Sequence, residues 1–183
     1  MNPKLALIGM WLGSWALVNP VPAAETNTVA GRVGVYDSRA VTYAWFVSDA
    51  QMAELKKQVA AAKAAQASGD DAKFHEYSAS LKAKQDQIHR ELFSTAPAAE
   101  ALAALQAKLP EIERAAGVSA LVSKWDEASL NLYPAAVKVD VTDELVRALC
   151  QPTDKQLKTI ESIEKAAPVP LEKCNELIQK GEI

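Results

Sequence analysis

The chain has 183 residues, with 20 Lys and Arg against 23 Asp and Glu and a formal charge of −3. No stretch concentrates the basic residues, so the electrostatic footprint of a nucleic-acid binder is missing. Alanine is abundant and glycine scarce at 7 residues, which favours an α+β, mostly helical fold over a sheet-rich one.

Lys4 is the only charge before Glu25, and Leu5 to Val18 is apolar apart from Gly9, Gly13 and Ser14. A positive start, an apolar stretch and small residues before polar sequence make 1–24 a cleaved signal peptide. Val21-Pro22-Ala23 and Pro22-Ala23-Ala24 both supply small residues for the peptidase site. The apolar stretch is shorter than the roughly 20 residues of a membrane-spanning helix, the alternative being an uncleaved anchor. No cysteine sits at the cleavage site, which argues against a lipoprotein. The expected location is the periplasm, and a mature chain of about 159 residues suits one domain with a real core.

Alternating β-branched residues over Arg32–Asp37 predict a strand. Ser38–Val47 is apolar and aromatic, with its secondary structure left open. Ser48-Asp49-Ala50-Gln51 fits a capping box, and Met52, Leu55, Val59 and Ala62 follow at helical spacing. Ser68-Gly69-Asp70-Asp71 is a stop and a new cap. A second helix is expected from about Ala72 to Phe93, with Phe74, Tyr77, Leu81, Ile88 and Leu92 near one face. Pro97 suits a first helical position, and Leu102, Leu105, Leu109 and Ile112 mark a third helical stretch that Pro110 should kink and Gly117 should end.

Beyond Gly117 the pattern predicts strands over 118–123 and 129–133, with Trp125-Asp126-Glu127 in their connection and Pro134 closing the second. Val137-Lys138-Val139 leads to Thr142 as an N-cap, and a helix is expected to about Cys150. Thr153-Asp154-Lys155-Gln156 is another capping box, opening a helix through Lys165, and a last helix runs from Leu171 to about Lys180. The domain plan is then a β body of 25–47 and 117–150, an inserted helical arm of 48–116 and a helical extension of 151–183. The strands flanking the insertion are expected to pair.

Val33-Gly34-Val35-Tyr36-Asp37-Ser38-Arg39-Ala40-Val41 resembles the first strand of the Skp-like (OmpH-type) periplasmic chaperones. The likeness resumes at Gly117–Val122, continues through Asn131-Leu132-Tyr133 and is clearest over Val139–Val146, so it covers about 32–150 in the family's order. Ser68–Asp71 sits where such proteins turn their arm around. The resemblance implies a homotrimer whose strands, around Val33–Tyr36 and Val118–Val122, form a central body near the threefold axis. It also implies coiled-coil hairpin arms that hold unfolded outer-membrane proteins without ATP or cofactor. Three features depart from the family: the arm is short, 48–116 carries nine basic and ten acidic residues rather than a basic excess, and the segment after Gln151 has no counterpart.

No catalytic, cofactor-binding or metal-binding residue is expected. His75 and His89 are fourteen residues apart, about 21 Å along one helix, which excludes joint ligation of one metal. No phosphate loop, metal-binding histidine pair or nucleophile elbow is present. Asp126 and Glu127 read as solvated turn residues. Most apolar arm residues form the seam between helices, which leaves Phe74, Tyr77 and Phe93 as candidate client contacts. Cys150 and Cys174 are expected to form a disulfide after export, against separate buried thiols or bridges between chains. Two functions stand: a holdase-type chaperone for non-native envelope proteins, or a non-catalytic scaffold of the cell envelope using the same arms.

Overall fold

The computed structural model describes residues 31–183; the expected signal peptide lies outside them. Twelve elements follow one another over these residues. They are β1 (Arg32–Tyr36), α1 (Ser38–Phe46), α2 (Asp49–Ser68), α3 (Asp71–Phe93), α4 (Ala99–Leu105), α5 (Leu109–Ala116), β2 (Leu121–Ser123), α6 (Glu127–Leu130), β3 (Val137–Asp140), α7 (Thr142–Leu149), α8 (Asp154–Lys165) and α9 (Leu171–Lys180). The protein is mostly helical, with one three-stranded sheet in the order β2-β1-β3.

Both strand pairs are parallel: Gly34 faces Leu121 in one and Val139 in the other. The strands that flank the helical insertion therefore do pair. β1 is central, and Val33 and Tyr36 are buried. Gly34 is required by close approach, because a Cβ there would meet Leu121 Cδ2 at 2.7 Å and Val118 and Val141 at 3.2 Å. Asp37 ends the strand and caps α1, its carboxylate accepting from the Arg39 N–H.

α1 is nearly engulfed, with Val41 and Trp45 packed among Tyr36, Ile88, Ala101, Leu105, Val141 and Leu145. Its other side meets α7 and α8 through Ala40, Ala44, Val146 and Ile160. α2 and α3 form a hairpin. Gly69 closes α2 at φ 71°, a left-handed conformation that glycine adopts without steric cost, and Asp70 then caps α3 through the Lys73 N–H. α4 belongs to the body rather than to an arm: Ala98, Ala101 and Leu105 lie in the main core. Pro110 does more than kink the third stretch. It splits it, sitting in the first turn of α5 while α4 stops at Leu105.

Several expectations need correction. Hydrogen bonding to β1 begins at Ser119, but the strand itself is confined to Leu121–Ser123. The expected strand over 129–133 is instead the helical turn α6 and a run of turns, because Asp126 accepts from the Ser129 N–H and starts a helix. The third strand is β3, the stretch read as a lead-in to α7. Thr142 is the first residue of α7 rather than its cap, and its hydroxyl accepts from the Asp37 N–H at 3.0 Å.

Cys150 and Cys174 are both free. Cys174 is fully buried, with Sγ 3.8 Å from the His89 carbonyl oxygen of α3, whereas Cys150 packs with the α1–α7–α8 cluster. α9, which carries Cys174, rests on α3, and α7, which Cys150 ends, rests on α1, so the two thiols occupy different helix seams.

Candidate functional site: a hairpin groove beside a buried charge cluster

The outer half of α2 is rich in alanine, and Ala62 and Ala65 are buried in the hairpin with α3. The half nearest the body carries Leu55 and Val59, which are only half-buried. Between them and α3 lies a groove of about 410 Å³ lined with Phe46, Leu55, Val59, Leu81, Ile88 and Phe93. Lys84 is its only fixed charge; the ammonium donates to Gln51 Oε1 at 3.2 Å and lies 5.1 Å from the centre of the Trp45 ring. Gln85 and His89 add polar groups, and His89 Nδ1 is buried without a hydrogen-bond partner among the described residues. The His89 ring sits 5.5 Å from that of Phe93. An apolar trough with a few polar groups suits an apolar chain segment whose backbone still needs partners.

The three candidate contacts do not share one place. Phe93 is 44 % exposed and forms the lip of the groove. Tyr77 and Phe74 lie further out on α3, half-buried, about one and two turns beyond the Leu81 end of the lining. From the sequence, Leu55, Val59 and Leu81 belong to the helix seam, and Ile88 lies near the same face of the second helix. Their stripe was visible, but the gap beside it depends on how the two helices diverge toward the body.

Across α1 from this groove, the ends of the parallel strands bring a charge cluster together. Asp37 is fully buried and accepts from Arg39 Nε and Nη2, at 3.2 and 2.9 Å, from Trp125 Nε1 at 3.2 Å and from Lys124 at 2.7 Å. The Arg39 guanidinium lies 4.9 Å from the Trp125 ring centre. Burial raises the Asp37 pKa, but the hydrogen bonds from Arg39, Lys124 and Trp125 outweigh it and hold the carboxyl below the ordinary range. A carboxylate so fully engaged is a structural anchor rather than a base.

Burial also shifts other titratable groups near the body. Burial, and then the Asp126 charge, push Tyr36 up to about 12. Burial also raises both thiols, aided at Cys150 by Asp49. Asp126 caps α6 and Glu127 is exposed, as their reading as turn residues implied. His75 is exposed, and among the described residues no group of three His, Cys, Asp or Glu could hold a metal.

No protein-family model matches the chain, and neither a curated protein nor a solved structure does.

Proposed function

We propose that the protein is an exported, ATP-independent holdase of the Skp-like (OmpH-type) kind, binding non-native envelope proteins in the periplasm as a homotrimer. The observation that carries the reading is the open apolar groove at the base of the α2–α3 hairpin. Apolar surface left over after the helices have packed is what a client-binding arm requires, and His89, Gln85 and Lys84 offer partners to a client backbone.

Oligomerisation is part of the proposal. β2 and β3 are both sheet edges in the single chain, and Leu132 before β3 and Val137 in it are 74 % and 62 % exposed. Edges of this kind call for covering, and neighbouring copies can supply it.

The test is light scattering from an unfolded outer-membrane protein diluted into buffer with and without the mature chain. Suppression at stoichiometric amounts supports the holdase. Unchanged aggregation leaves the scaffold reading, which the near balance of charge over 48–116 favours.

A further inference from the structure

A second cavity lies on the opposite side of Phe93, between α1, α3, α8 and α9. It measures about 590 Å³ and is walled by Tyr43, Leu92, Phe93, Ile163, Val169 and Leu177, with Arg39 as the only charged side chain in the lining. Arg39 is 2 % exposed. Its Nε and Nη2 are committed to Asp37, while Nη1 has no hydrogen-bond partner among the described residues. Asp37 also serves Lys124, so two cations share that carboxylate.

We propose that this cavity binds a single-chain fatty acid of middle length, its carboxylate on Arg39 and its acyl tail along α8. Charge complementarity selects one anionic head: a buried guanidinium with an uncommitted donor edge is suited to a carboxylate. The near absence of other polar groups selects the tail. Thr159 and Ser162 donate their hydroxyl protons back to the Lys155 and Lys158 carbonyls. A peptide laid here would leave its backbone amides without partners, at a cost an acyl chain avoids. That distinguishes this cavity from the hairpin groove, where Gln51, Gln85, Lys84 and His89 are available. From Thr159 to Ala166 the α8 wall runs about 10 Å, enough for a tail of middle length.

Trp125 reports on the site, because the Arg39 guanidinium stacks on its ring. The mature chain is titrated with decanoate below its micelle-forming concentration while tryptophan emission is followed. Saturable binding is expected, weakening about fourfold for each methylene removed from the tail. Decanol, which lacks the charge, should bind at least about tenfold more weakly. Ile163→Asp should abolish binding with helix content retained. Should that variant not fold, Ser162→Phe, at an exposed position on the cavity wall, should obstruct the tail instead. Equal affinity for decanol or decyltrimethylammonium, no dependence on chain length, or undiminished binding by the folded variants would overturn the proposal. So would displacement of decanoate by a short blocked apolar peptide at comparable concentration, which would assign the cavity to chain segments.

Discussion

Two buried carboxylates have opposite consequences for stability. Asp37 is held ionised by Arg39, Lys124 and Trp125, against burial. Its contribution is therefore complete above the ordinary carboxylate pKa of about 4 and is lost as pH falls below it. Asp37→Ala leaves Arg39 buried beside an empty acceptor site and should cost about 3–5 kcal/mol in urea unfolding at neutral pH. Glu91 is also buried, accepting among the described residues from the Thr42 hydroxyl at 3.1 Å and the Gln87 amide at 3.3 Å. Burial, with Glu100 nearby, raises its pKa despite those two hydrogen bonds. Folding thus favours its protonated form, and the associated stability is lost as pH rises through the folded value. Glu91→Gln is expected to unfold at higher urea than the parent near neutral pH, and at the same urea at about pH 4. A lower midpoint at neutral pH would show that the carboxylate is needed as an anion.

Helix ends were the most legible elements, because capping is settled among residues three or four apart. Ser48 accepts from the Gln51 N–H, Asp70 from that of Lys73, and Thr153 with Gln156 completes the expected box. The glycines separate two kinds of constraint. At Gly69 an added Cβ meets nothing within 4 Å, so Gly69→Ala carries only the left-handed penalty, about 1–2 kcal/mol. At Gly34 the obstacle is the packing between strands; Leu121 can swing aside, but Val118 and Val141 must also yield, and alanine should cost about 1–3 kcal/mol. Thermal or urea unfolding of the two variants separates the cases. On the hairpin, Phe93→Ser alters an exposed lip and should change stability by about 0.5 kcal/mol or less, while weakening aggregation suppression. The pair Phe74→Ser and Tyr77→Ser should also weaken suppression. Loss of helix content in the double variant would place both residues in the seam between α2 and α3.

At the scale of the whole molecule, the sheet is too narrow to hide its own edges. Sedimentation of the mature chain at micromolar concentration should give a trimer mass. Val137→Asp, at an exposed position on β3, should lower that mass without unfolding the protomer. A stable monomer of the parent chain would remove the trimer and much of the chaperone reading. Lys84 is the only fixed charge lining the hairpin groove, so client affinity should vary little between low and physiological salt. A steep loss would point to binding along the charged faces of the helices instead.

Local chemistry determined much of this protein from sequence alone: the first strand, the turn at Gly69 between α2 and α3, and the last two helices. Each rests on periodicity or on bonds within a few residues. What the sequence could not decide depends on partners far along the chain. β3 has exposed Val137 and Lys138 and shows no buried alternation, so only its pairing with β1 identifies it as a strand. The apolar residues of 129–133 imitated a strand until Asp126 capped them into a helical turn. Asp37 meets Trp125 across 88 residues only because parallel strands end at the same edge of the sheet. The two cysteines suited a disulfide by count and compartment, but Cys150 ends α7, which packs on α1, and Cys174 lies in α9, which packs on α3. Both grooves likewise arise from gaps between packed elements, which are properties of the tertiary arrangement and of no single segment.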